Sequence, residues 1–239
     1  MSTTHLWLRL PLLPLLAAQG LRVRNRALIL PEAPGPRQGT LGQGAPLRLL
    51  ILGDSAAAGV GAPDQSEALS GHLARALAPH VSLTWQLEAR TGATSAQTLR
   101  HLEKLDGPFD AALISLGVND VTHAVPLSRW LATHRQIHTA LRAKGVRHIL
   151  MTPVPPIHLF PALPQPLRWI LGQEAKRFNA ALPALLAESQ GAELLAFDLP
   201  MDPALMAADG FHPAPPLYKL WAEAAAQRLL NTFQARPPS

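Results

Sequence analysis

Four short stretches of the chain set reactive side chains among small residues. Gly53-Asp54-Ser55 closes an apolar run and opens onto three alanines and a glycine. Gly92 stands in "RTGATS", Asn119 in "GVND", and Asp209 and His212 in "DGFHP". These residue types fit acyl transfer. A serine hydroxyl is a weak nucleophile and needs a neighbouring base. His212 is the candidate base. Asp209, three residues earlier, is within a turn's reach of the other ring nitrogen, where a carboxylate fixes the tautomer and steadies the imidazolium. The oxyanion of a tetrahedral intermediate needs donors. The candidates are the backbone N–H of Ser55, expected at a helix N-terminus, the backbone N–H of Gly92, and the side-chain amide of Asn119.

Plainer readings stand beside these. Ser55 could cap a helix, and Asn119, Asp209 and His212 could shape turns. Asp54 and Asp120 read as structural carboxylates that bond loop amides. The serine is not in G-x-S-x-G, so the nucleophile elbow is not the model. His134 and His138 stand four apart on a helix with no evident third ligand, which suits a solvated helix face and not a metal site. No cofactor is implied. Val118, Val154, Pro155, Pro156, Phe160 and Phe211 flank the reactive groups in sequence and are apolar or rigid, so they are expected to line an acyl pocket beside Ser55. Six prolines between Thr152 and Pro166 stiffen one wall of it.

The elements that must position these groups alternate. Continuous apolar runs, "LRLLIL", "SLTWQLEA", "AALISL", "RHILMT" and "AELLAF", suit strands buried on both faces. Helical stretches are expected over Gln65–Leu77, Ser95–Leu105, Leu127–Lys144, Leu167–Glu188 and Pro215–Leu230. Such alternation implies right-handed βαβ units and a parallel sheet covered by helices. Ligands then bind beyond the carboxyl ends of the strands. Ser55, Gly92 and Asn119 each follow a strand run.

"GDSAAAGVG", "RTGATS", "GVND" and "DGFH" resemble, in order and spacing, the four sequence blocks of the SGNH (GDSL) hydrolases, over Leu47 to about Leu230. The first block reads "GDSAAAG" and not the longer "GDSLS" form. The resemblance implies an α/β fold, a flavodoxin-like three-layer α/β/α sandwich with a five-stranded parallel sheet. It places the family's functional residues on Ser55, Gly92, Asn119 and His212, with Asp209 completing a triad. It implies a serine esterase working through an acyl-enzyme, of lysophospholipase-like or short-acyl type. A carbohydrate O-acetyl esterase or acyltransferase stays open, as does a lipid-binding module with a retired active site.

With 239 residues, 48% of them apolar and 15% charged, the chain suits one large folded domain. It has no cysteine, which excludes disulfides and thiolate chemistry. The net charge of +5 resides entirely before residue 49, where six arginines face one acid. The balanced body argues against a nucleic-acid partner. Residues 1–44 read as an apolar, basic segment and linker, and 45–239 as the hydrolase domain. Arg22, Arg24 and Arg26 follow an apolar stretch too short and broken to span a bilayer. An interfacial anchor on an anionic membrane surface is the preferred reading, ahead of a signal peptide or a core element. The expected location is cytoplasmic or on the cytoplasmic membrane face, with a periplasmic or secreted protein as the alternative. The expected partner is a small-molecule acyl ester.

Overall fold

The computed structural model describes residues 12–195 and 202–234. Each apolar run becomes a strand: β2 (Pro46–Gly53), β3 (Ser82–Ala89), β4 (Ala111–Ser115), β5 (His148–Met151) and β6 (Ala192–Leu194). "AELLAF" extends beyond Leu195, outside the described residues. These five strands are parallel and lie in the order β3-β2-β4-β5-β6. That is the flavodoxin-like arrangement, with the first parallel strand inside and the second beside it. A sixth strand, β1 (Gln38–Leu41), pairs antiparallel with β3, Gln38 opposite Gln86 and Leu41 opposite Leu83. It belongs to the stretch read above as linker. Its residues are largely exposed and lack the apolar alternation that marks a strand.

Side chains alternate across a strand, so a sheet covered on both faces needs apolar residues at every position. In β2, Leu50 and Leu52 enter one apolar cluster, and Leu47, Leu49 and Ile51 enter the other. Each such leucine contributes roughly 1.5–3 kcal/mol by burial. The first face is covered by α3 (Ser95–Leu102), α5 (Leu127–Ala143) and α6 (Leu167–Ala187). The second is covered by α2 (Leu69–Leu77) and α7 (Pro215–Gln234). Besides β1, two α-helices were not anticipated: α1 (Leu13–Arg26), and the short α4 (Val118–Thr122), which begins within "GVND". Gln19 ties α1 to the amino end of α6. Its amide donates to the Gln165 carbonyl at 2.6 Å, and its oxygen accepts from the Leu167 N–H at 3.1 Å.

His134 and His138 do not lie on a solvated face. Their relative exposures are 0% and 4%, because that face of α5 packs inward. His134 Nε2 lies 3.1 Å from Ser95 Oγ, and its ring sits 4.5 Å from that of Trp130. No cluster able to hold a metal is found among the described residues. Burial pushes the His134 imidazole down to about 3 and that of His138 to about 4. The folded protein therefore keeps both rings neutral while the unfolded chain takes up protons below about pH 6.5. Each ring costs stability as pH falls through that window. His138→Leu removes one uptake site. Between pH 7 and pH 5 the variant should gain about 2 kcal/mol relative to wild type in urea unfolding. A difference that does not move with pH would show that His138 protonates freely in the fold.

Candidate active site

The site sits beyond the carboxyl ends of β2, β3 and β4. Gly53 ends β2, where a Cβ would fall 2.3 Å from that of Ala57, so only glycine admits this turn. The Asp54 N–H donates to the Ser115 carbonyl at 3.2 Å and ties the turn to β4. Ser55 is not at a helix N-terminus. It lies on successive turns, with Ala58 N–H bonded to the Asp54 carbonyl and Val60 N–H to that of Ser55. The left-handed backbone of Gly59 and Gly61 (φ 84° and 99°) stops these turns from winding into a helix. The stretch expected to be helical from Gln65 opens with a 3₁₀ turn over Gln65–Glu67, and α2 starts at Leu69.

Asp209, His212 and Ser55 form a hydrogen-bonded chain. His212 Nε2 lies 2.8 Å from Ser55 Oγ, and His212 Nδ1 lies 2.5 Å from Asp209 Oδ2. The Asp209 Oδ1 accepts from the N–H groups of Phe211 at 2.9 Å and His212 at 3.1 Å. These bonds fix the carboxylate and the turn that carries the histidine together. Burial raises the Asp209 carboxyl, but the hydrogen bonds from His212 and the two amides outweigh it and hold it below the usual range. Ionised Asp209 keeps the ring proton on Nδ1. That leaves Nε2 able to accept the serine proton.

Among the described residues, the N–H groups of Ser55 and Gly92 find no acceptor. Gly92 holds φ +76°, and the space where its Cβ would lie is empty. Glycine suits this position because of that left-handed conformation and the open cavity beside it. The Asn119 amide donates to the Ala93 carbonyl at 3.0 Å and approaches Asp54 Oδ2 at 3.4 Å. Asp54 is buried and also accepts the Ala56 N–H at 3.1 Å. Burial pushes its carboxyl up to about 6. Asp120 accepts the N–H and hydroxyl of Ser95 at 3.0 and 2.9 Å, fixing the start of α3.

An apolar hollow of about 320 Å³ opens at Ser55 and His212. Of the expected lining residues, Val118, Pro155, Phe160 and Phe211 face it. The Phe160 and Phe211 rings meet edge to face at 6.3 Å. Val154 does not line it. It is buried in the core and exchanges two 2.8 Å hydrogen bonds with the Asn179 amide. Nor does Pro156, whose carbonyl accepts from Leu159 to close a 3₁₀ turn. Among the further residues that line it are Met206, Leu217 and Trp221. The last two stand four apart on α7, just after His212, and that spacing was the available signal. A second, polar groove of about 770 Å³ begins at Thr91 and Gly92 and runs over Glu32, Arg37, Arg90, Arg100 and Lys104.

The model of the GDSL-like lipase/acylhydrolase family matches residues 51–220. The chain belongs to that family. Among related GDSL-like proteins, the "GDSL-like esterase Rv1075c" of Mycobacterium tuberculosis is 30% identical over 188 residues, covering 74% of this chain. The chain spans 60% of that relative's length. Solved structures share the fold of this GDSL-like domain. TesA aligns with TM-score 0.62 and 25% identity over 76% of this chain and 97% of its own. The psychrotrophic esterase EstA from Pseudoalteromonas sp. aligns with TM-score 0.62 and 19% identity over 78% and 98%.

Proposed function

We propose that the protein is a serine esterase that hydrolyses carboxylic esters of short-acyl or lipid type. The observation that carries this reading is the Ser55–His212–Asp209 chain, which opens directly onto an apolar hollow. Ser55 Oγ attacks the ester carbonyl while its proton passes to His212 Nε2. The carbonyl oxygen becomes an oxyanion and is met by the N–H groups of Ser55 and Gly92 and by Asn119. The 3.4 Å approach of Asn119 to Asp54 is long for a hydrogen bond, so that amide hydrogen is the one exchanged for substrate. Collapse of the intermediate breaks the bond to the alcohol oxygen, which leaves with the proton from His212. Water then gives a proton to His212 and attacks the acyl-enzyme carbonyl; the second intermediate collapses by breaking its bond to Ser55 Oγ, which takes the proton back from His212 as the acid is released.

The hollow is at the lower end of ligand-site volumes, which favours short to medium acyl chains. A p-nitrophenyl ester series from acetate to palmitate tests this. Turnover should peak below the long chains, and Phe211→Ala should move the peak towards longer ones. Absence of hydrolysis across the series would overturn the esterase reading. An unmoved peak would place the acyl group outside this hollow.

An anionic membrane surface is the proposed setting. No described helix is long and apolar enough to cross a membrane. Among the described residues, seven of the nine exposed large apolar side chains lie in two segments, Leu13–Ile29 and Leu159–Trp169. The Gln19 bonds join these segments, and the second includes Phe160 of the acyl hollow. Arg22, Arg24 and Arg26 are exposed beside them and together supply about 3 kcal/mol on an anionic surface. The full chain should co-sediment with phosphatidylserine vesicles at low salt and less so at high salt. A chain lacking residues 1–30 should stay in the supernatant. Equal sedimentation of the two chains would overturn the anchor.

A further inference from the structure

Residues 31–41 contribute no sequence block of the family, yet they bind the backbone on which two of those blocks depend. At one end, the buried Gln65 amide donates to the carbonyls of Ala33 at 3.0 Å and Ala58 at 2.9 Å. That single side chain fastens the segment to the turns that carry Ser55. Gln65 N–H also donates to the Pro34 carbonyl at 2.8 Å. At the other end, β1 pairs with β3, and Leu87 N–H donates to the Arg37 carbonyl at 2.7 Å.

Between these anchorages, two side chains reach the turn that follows β3. Glu32 Oε1 accepts the N–H of Thr91 at 2.6 Å. The Arg37 guanidinium donates to the Ala89 carbonyl and, at 3.0 Å, to Glu32 Oε2. Two successive peptide groups, Ala89–Arg90 and Arg90–Thr91, are thereby fixed from outside the sheet. The next peptide carries the Gly92 N–H, which has no acceptor among the described residues. An exposed ion pair alone contributes little. Here each partner of the half-exposed pair also holds a backbone group of one functional turn.

We propose that Glu32 and Arg37 are positioning residues for the oxyanion donors, setting the Ala89–Gly92 turn so that the Gly92 N–H faces the carbonyl attacked by Ser55. The proposal rests on the reading of Gly92 as an oxyanion donor. Neither side chain touches the reacting atoms. Their effect is on the placement of a donor whose value depends on sub-ångström geometry.

The test measures kcat and KM on p-nitrophenyl butyrate, together with the affinity for phenylboronic acid, which forms a tetrahedral adduct with an active-site serine. Glu32→Ala should lower kcat roughly ten- to a hundredfold with KM within about twofold. Boronate affinity should fall in step. Glu32→Gln should recover most of the loss, because its amide oxygen still accepts from Thr91. Arg37→Ala should lower kcat in the same manner. Asn119→Ala, which removes a donor outright, should lose about a hundredfold or more and reports on the parent reading separately. If Asn119→Ala is impaired while Glu32→Ala keeps its kcat, the positioning role is wrong and the esterase reading stands. Failure of glutamine to rescue also overturns it. Should Glu32→Ala not fold, Glu32→Asp replaces it. One methylene too short, it must turn over more slowly than Glu32→Gln, and equal rates would refute the proposal.

Discussion

Ser55→Ala should yield a folded protein with ester turnover reduced about a millionfold, the scale found when one member of a serine triad is removed. Among the described residues the hydroxyl has one partner, His212 Nε2 at 2.8 Å, so its loss leaves the surrounding turns intact. Those turns are held by backbone bonds from Ala58 to Asp54 and from Val60 to Ser55, which alanine preserves. A fluorophosphonate should label wild-type protein at Ser55 alone and leave the variant unlabelled. Circular dichroism and the unfolding midpoint should be unchanged. Wild-type turnover in Ser55→Ala would end the nucleophile assignment, and labelling elsewhere would move it.

The second large effect concerns the base and its partner. His212→Ala should cost about as much as Ser55→Ala, because the groups act as a unit and their losses do not add. Asp209→Asn should cost less, about ten-thousandfold. The asparagine oxygen can still accept from the Phe211 and His212 amides, which Asp209 Oδ1 now does. Its NH₂ would then face His212 Nδ1 and force the ring proton onto Nε2, the wrong nitrogen to accept from serine. The ordering of the variants in a steady-state ester assay checks this. A His212→Ala or Asp209→Asn variant as active as wild type would remove His212 from the role of base.

Much of this architecture could be read before any coordinate. Parallel strands covered on both faces must be apolar throughout, and β2 to β5 announce themselves as such runs. Reactive residues directly after those runs must gather at one rim, and Ser55, Gly92 and Asn119 do. What stayed hidden depends on partners distant in sequence. β1 is a strand only because β3 offers it an open edge, and nothing in Gln38–Leu41 itself alternates. His134 looks like a surface residue by type, and its burial depends on Ser95 and Trp130. Val154 is apolar and near the site in sequence, yet the Asn179 amide draws its backbone into the core. Chain proximity marks the pocket's rim. Which side of a strand end each residue takes is decided by packing.

The edge strand has a consequence for solubility. A parallel sheet of this order ends on one side at β6, three residues long, and on the other at β3, eight residues long. An eight-residue edge with unpaired N–H and C=O groups is a template for another chain. β1 covers half of it with a largely exposed strand of only four residues, and very short edge strands are poor templates for another chain. The β1 segment thus shortens the sheet edge that stays open to another chain. A shortened chain should begin no later than Pro31, because one that starts after Gly44 would expose the full length of Ser82–Ala89 as an adhesive border.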